Sequence, residues 1–116
     1  MKKRVADVIF ETLCKNGITD CFVVVGGGAM HLDNALSLNT QMHCHFNHHE
    51  QACAMAAEAY ARYSGKMAAV CVTSGPGATN TLTGVMGAWV DSVPMIVISG
   101  NVRYETSIEK SGLALR

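Results

Sequence analysis

Residues 67–80 read MAAVCVTSGPGATN, and this stretch decides the fold. Met67 to Thr73 is a short, continuous apolar run, the pattern of a strand covered on both faces rather than one alternating between core and water. It passes directly into Ser74-Gly75-Pro76-Gly77, where Pro76 suits the first turn of a helix because its missing N–H costs nothing there. A buried strand that runs straight into a helix predicts a parallel sheet, since the chain must cross a face of the sheet before it can return.

Working outward, the same unit recurs. Toward the amino terminus, residues 49–64 read as an alanine-rich helix ending at Ser64-Gly65, with the stripe Ala52, Met55, Ala56, Ala59, Tyr60 and Tyr63 suited to packing on a sheet. Before it come a strand over Met42 to Phe46, a helix over Ala29 to Leu38, and a second apolar run from Cys21 to Val25 that ends in Gly26-Gly27-Gly28. Val5, Val8, Ile9, Thr12 and Leu13 recur at helical spacing and predict a first helix over 3–16, stopped by Asn16-Gly17. Toward the carboxyl terminus, a helix is expected from near Pro76 to about Val90, and then a buried strand over Met95 to Ser99. Four helix–strand repeats with right-handed crossovers define an α/β fold, a three-layer helix/parallel sheet/helix domain over 1–116.

Composition bounds the function. The 116 residues are 49% hydrophobic, enough for one buried core, and nine basic side chains balance nine acidic ones. A net charge of zero gives no long-range attraction for phosphate backbones or anionic lipid, so neither nucleic acid nor a membrane is an expected partner. The longest apolar runs fall far short of the roughly 20 residues of a membrane span. The basic start MKKR is followed by Asp7 and Glu11, which does not fit a secretory signal, and the expected compartment is cytoplasmic. Cysteines 14, 21, 44, 53 and 71 are odd in number and mostly set in apolar stretches, as reduced, buried thiols are.

In an open parallel sheet, ligands collect beyond the carboxyl ends of the strands, and three features fall there. They are Gly26-Gly27-Gly28, Asn47-His48-His49-Glu50, and Ser74 to Asn80. Each has a plain structural reading. The glycines lack the full G-x-G-x-x-G pattern and serve as a turn, Ser74 to Asn80 lacks the lysine of a phosphate-binding loop, and Asn47 with Glu50 has the spacing of a helix capping box. The alternative for Glu50 is a carboxylate aimed into a cleft. His43, His45, His48 and His49 surround Cys44, but on a strand His43 and His45 share one face while Cys44 points away, and no second ligand cluster completes a metal site.

Read together, GGGA at 26–29, HEQACAMAAEAYAR at 49–62, VTSGPGATN at 72–80 and GAWVDSVPMIVISGNV at 87–102 resemble, in this order, the amino-terminal domain of acetolactate synthase and its thiamine-diphosphate-dependent relatives. The resemblance covers nearly the whole chain. It implies that Glu50 matches the glutamate that hydrogen-bonds N1′ of the cofactor's aminopyrimidine, so that the 4′-nitrogen can remove the proton from C2 of the thiazolium. Such a glutamate is expected to have its proton affinity raised by desolvation. Gly28 corresponds to a family glycine beside the pyrimidine and Gly27 is taken with it. Pro76 and Asn80 match positions lining the same pocket, and Asn101 stands where many acetolactate synthases have glutamine.

The implied reaction is decarboxylation of a 2-keto acid, pyruvate in the synthases, and ligation of the resulting acyl anion equivalent to an acceptor. A non-catalytic ligand-binding domain, or a structural α/β domain in which Glu50 only caps its helix, stands as an alternative, and two departures leave a related 2-keto acid decarboxylase or carboligase as another. Val25-Gly26-Gly27-Gly28 stands where the family often has aromatic-Pro-Gly-Gly, and His48 replaces the usual basic residue two positions before the glutamate. The GDG motif that holds Mg²⁺ and the diphosphate in the family's carboxy-terminal domain does not occur here. The chain, ending at Arg116 in what resembles a linker, is therefore expected to be a piece of a longer parent that could also carry an FAD-binding domain. Its expected partners are its own carboxy-terminal domain and a second subunit, in a homodimer or homotetramer, with Met55, Met86 and Trp89 as candidates for the shared surface and core packing the favoured alternative for each.

If the histidines around Cys44 hold no metal, the purified protein carries well under one zinc per chain and a chelator leaves its thermal midpoint unchanged. Stoichiometric zinc with a chelator-sensitive fold would contradict this.

Overall fold

A computed structural model describes residues 2–112; Met1 and residues 113–116, including the expected linker end at Arg116, lie outside the described residues. Four strands, β1 (Asp20–Val23), β2 (His43–Phe46), β3 (Ala68–Val72) and β4 (Met95–Ser99), form one parallel sheet in the order β2-β1-β3-β4. Helices α1 (Val5–Lys15), α2 (Met30–Leu38), α3 (Glu50–Ser64), α4 (Pro76–Thr79) and α5 (Leu82–Val90) alternate with them, and α6 (Ile108–Ser111) follows β4.

Strand order fixes the layers. The chain goes from β1 outward to β2, then returns past β1 to β3 and on to β4. With right-handed crossovers, the outward step puts its helix on one face and the return steps put theirs on the other. Accordingly Phe10 of α1 and Ala35 and Leu36 of α2 pack with Cys21, Val23, Ala69 and Cys71, while Cys53 and Ala57 of α3 pack with Val70, Val72 and the flanking Phe22 and Val24. Successive residues of β1 and β3 thus feed opposite cores, which is why both strands read as continuous apolar runs.

Several elements differ from expectation. β1 stops at Val23, and Val25 is 60% exposed. A 3₁₀ turn at Gly27–Ala29 precedes α2. β3 is buried throughout, but β4, expected to be buried, is only half-buried and exposed at Ser99. The expected helix from Pro76 to Val90 divides at Asn80-Thr81. There the Thr81 N–H and hydroxyl both donate to the Ala78 carbonyl, at 3.1 and 2.6 Å, tightening the turn before α5 begins again with Val85 N–H to Thr81 O.

The stripe on α3 is also corrected. Its buried positions are Cys53, Ala54, Ala57 and Ala61, whereas Ala52, Met55, Ala59 and Tyr63 are exposed, Tyr63 at 96%. Alanines lie on almost every side of this helix, so hydrophobic count alone gave no bearing; size decides, because α5 approaches α3 where side chains are smallest. A Cβ at Gly84 would lie 2.5 Å from the Ala54 Cβ and 2.9 Å from its carbonyl carbon. Arg62 of α3 further joins Asp91, just after α5, and Glu58 of its own helix.

The histidines of β2 have a structural role. His45 Nε2 lies 2.8 Å from Asp20 Oδ1 on β1, Tyr60 of α3 donates to Asp20 Oδ2 at 2.9 Å, and Phe22 stacks on the His45 ring. Burial pushes the Asp20 carboxyl up, but hydrogen bonds from His45, Tyr60 and Thr19 outweigh it and hold the group below its ordinary range. Cys44 faces the opposite side, against the α1–α2 core. Among the described residues, no group of three or more His, Cys, Asp or Glu is placed to hold a metal ion, and no helix is long and apolar enough to cross a membrane.

Gly84→Ala tests the α3–α5 approach. Alanine gains about 1 kcal/mol of helix propensity, but forcing a methyl onto the Ala54 backbone costs about 1–3 kcal/mol, so the variant is expected to melt lower. Pairing it with Ala54→Gly opens space at the contact and should recover part of the loss in thermal melts.

Candidate functional site at the carboxyl ends of the strands

β1 and β3 are neighbours whose following helices leave toward opposite faces, α2 to one and α4–α5 to the other. That reversal opens a crevice beyond their carboxyl ends. The loops around it are locked by close approach to one side chain, Thr73. Its hydroxyl accepts the Gly28 N–H at 3.0 Å. A Cβ at Gly26 would sit 2.6 Å from its Cβ, and one at Gly77 2.6 Å from its methyl. Gly28 is enclosed further: a Cβ there would meet the Ser74 hydroxyl at 2.5 Å, and Gly100, just after β4, lies directly against the Gly28 carbonyl. Gly75 takes φ +62°, which turns the chain into α4.

Glu50 is the first residue of α3. The helix is capped by His49, whose Nδ1 accepts the Gln51 N–H at 3.1 Å. The capping box of Asn47 with Glu50 does not form, since the Asn47 N–H is taken by Val23 O at 3.0 Å. The Glu50 carboxylate is therefore free to turn to the crevice, where Oε2 accepts from Asn80 Nδ2 at 2.9 Å. Its other oxygen faces Gly77, 3.4 Å from where a Cβ would be. Asn80 is placed by Pro76, the first residue of α4, whose carbonyl accepts the Asn80 N–H at 2.9 Å.

Within this chain the Asn80 amide, together with Glu50's own N–H, holds the Glu50 carboxyl below its ordinary range, and the smaller effect of burial does not reverse this. The expected upward shift by desolvation is thus absent here, because the carboxylate is only half-buried and has two donors.

The fold therefore brings Glu50, Asn80, Pro76 and the glycine turn to one end of the sheet. The absent side chain of Gly28 is accounted for by Thr73 and Ser74, whereas a Cβ at Gly27 would meet nothing within 4 Å. Asn101 is exposed, its Oδ1 accepts the Val102 N–H, and with Ser74 and Gly75 it borders an open cavity of about 440 Å³. Thr73, Gly77 and Gly100 were missed in the sequence, where a threonine ending a strand and lone glycines carry no signal of what they touch. Met55 (44%), Met86 (62%) and Trp89 (81%) are exposed rather than packed in the core, with Leu82 and Val90 also bare on α5.

A doubly wound parallel sheet with a carboxylate–amide pair beside its switch point defines a ligand-binding α/β domain. The sequence profile of the thiamine pyrophosphate enzyme N-terminal TPP binding domain matches residues 3–111, and the chain belongs to that family. It is 42% identical over 97 residues to acetolactate synthase 1, chloroplastic, of Oryza sativa subsp. japonica, covering 84% of this chain and 15% of that protein. The same identity and coverage hold for acetolactate synthase 1, chloroplastic, of Zea mays. The acetolactate synthase large subunit of Buchnera aphidicola subsp. Schizaphis graminum is also 42% identical over 97 residues, 84% of this chain and 17% of that protein. The chain thus spans about a sixth of the length of these relatives.

The Asn80 contact has a pH signature. A carboxyl lowered in the folded state contributes stability that is present above its unfolded pKa and lost as pH falls through the folded one. Asn80→Ala should shift the Glu50 carboxyl titration upward by NMR. It should also lower the melting temperature at neutral pH, with the difference closing in acid below about pH 4. An unmoved titration would show that Asn80 does not hold the charge.

Proposed function

We propose that this chain forms the pyrimidine-binding wall of a thiamine-diphosphate-dependent enzyme of the acetolactate synthase type. In this reading the whole protein decarboxylates a 2-keto acid, pyruvate in the first instance, and ligates the acyl anion equivalent to an acceptor. One observation carries it: the Glu50 carboxylate, relieved of capping by His49 and kept ionised by Asn80, lies between Asn80 and Gly77 in the connection that follows β3. The residues present fit the group. An ionised carboxylate beside a side-chain-free Gly77 suits an aromatic ring nitrogen that needs a proton partner, and the open face of Gly27 leaves room for a flat ring.

When bound, the cofactor supplies an electron sink that lets a keto acid lose carbon dioxide and react as a nucleophile. The chain's own part is to hold and return a proton at the ring's N1′ through Glu50, to steer that carboxylate with Asn80, and to border the cofactor with Gly27, Gly28 and Pro76. The desolvation such a relay needs comes, on this reading, from surfaces outside the chain. A second subunit in a homodimer or homotetramer would cover the bare apolar side of α5 at Met86 and Trp89, with Met55 of α3 beside it. Mg²⁺ and the diphosphate would be bound by the parent's carboxy-terminal domain, and an FAD-binding domain fits the same parent. Five free thiols support a reducing, cytoplasmic compartment.

Glu50→Gln in the full-length enzyme is the test. The amide keeps hydrogen-bonding capacity but cannot take or give a proton, so hydrogen–deuterium exchange at C2 of the bound cofactor should slow by about 10²–10⁴-fold. The melting temperature should barely move and cofactor affinity should fall only modestly. Exchange at the wild-type rate would reduce Glu50 to a structural residue and end this reading.

A further inference from the structure

Asp33 on α2 is a charge with no evident employment. Its Oδ2 accepts the Gly26 N–H at 3.2 Å, and its Oδ1 is buried without a hydrogen-bond partner. No ion pair among the described residues involves it. Burial pushes its carboxyl up, with the Gly26 N–H acting weakly in the other direction. The titratable groups its charge reaches are the thiols of Cys21 on β1 and Cys71 on β3. Burial, with smaller help from neighbouring groups including Asp33, raises both, Cys71 to about 12. A half-satisfied carboxyl in such a place costs stability, and a chain that keeps one has a use for the contact it does make.

That contact bears on the glycine turn. The Gly26 N–H lies beyond the end of β1, so no ladder bond takes it, and the turn's internal bond uses the Gly26 carbonyl instead, accepting the Ala29 N–H at 2.8 Å. Two side chains from outside the turn then hold its N–H groups: Thr73 takes Gly28 and Asp33 takes Gly26. We propose that Asp33 is a positioning residue of the Gly26–Gly28 turn, anchoring it to α2 through the Gly26 N–H and so setting where Gly27 and Gly28 stand at the mouth of the crevice. The consequence for cofactor binding rests on the reading given under Proposed function; the anchoring itself does not.

The test uses the full-length enzyme with Asp33→Asn, which keeps an acceptor for Gly26, and Asp33→Ala, which removes it. Hydrogen-exchange mass spectrometry of the peptide covering residues 24–32 reads the turn, and calorimetry with thiamine diphosphate and Mg²⁺ reads the site. Asp33→Ala should lose protection in that peptide and bind the cofactor about tenfold more weakly, as losing one buried hydrogen bond predicts. Asp33→Asn should keep both properties.

Wild-type protection in Asp33→Ala, or equal damage in both variants, would overturn the proposal. Lost protection with unchanged affinity would support the anchoring and overturn its consequence for cofactor binding, by taking the turn out of the cofactor site. A normal Asp33 series beside a Glu50→Gln enzyme that still exchanges the C2 proton would place the failure in Glu50 alone. If Asp33→Ala does not fold, melting of Asp33→Asn against pH decides. Because the folded state favours the neutral acid, the contribution of this one group to stability is fully present below its unfolded pKa and is lost as pH rises. Asp33→Asn should therefore melt higher than wild type at about pH 8 and equal to it at about pH 4. A pH-independent difference would sink the anchoring by a half-buried carboxyl with one unpartnered oxygen.

Discussion

The site depends on how closely backbone can approach Thr73. Its hydroxyl and methyl touch segments that follow two different strands: Gly26 and Gly28 after β1, and Gly77 in the first turn of α4. Each is a glycine because the space a Cβ needs is already filled by threonine. Gly100, after β4, adds a third segment by lying on the Gly28 carbonyl. Three connections that leave the sheet in different directions are thereby locked to one another without a large apolar core at that end. A rigid rim of this kind can hold polar groups in fixed relation, as a binding site requires.

On that rim, the division of labour between adjacent residues matters more than either residue alone. His49 and Glu50 are both able to cap α3, and only one does. Because the imidazole accepts the Gln51 N–H, the carboxylate is left to Asn80, 30 positions onward in the chain. The result is an ionised group held on the crevice side of the helix start, where the positive end of the helix dipole also favours negative charge. Its proton affinity is lowered on balance within this chain, because the hydrogen bonds to the carboxylate outweigh the small effect of burial.

At the opposite end of the sheet, a second polar cluster does structural work. Asp20 gathers His45 from the edge strand and Tyr60 from α3, so β2, whose side chains are largely exposed, is fastened to the rest of the fold by hydrogen bonds rather than burial. This explains why an edge strand reading HCHF forms in its expected place although its apolar pattern is weak. Of the four histidines that invite a metal reading in the sequence, His43 and His45 lie beside one carboxylate, Asp20, and His49 caps α3.

Much of this was legible in the chain alone. The alternation of helices and strands, their approximate limits and the gathering of Gly26–Gly28, Glu50 and Ser74–Asn80 at one end of a parallel sheet follow from local signals. Periodicity, β-branched runs and turn residues act within a few positions, so sequence reading reaches them. What the tertiary structure alone decided are relations between distant positions. These include the order β2-β1-β3-β4, the side of α3 that faces the sheet, the break at Thr81, the choice of His49 over Asn47 as cap, and the hydrogen bond from the Gly26 N–H to Asp33. The alanines of α3 are alike in hydrophobicity, and a glycine is silent about its neighbours. Which of them is buried, and against what, is fixed only when strands far apart in sequence come side by side.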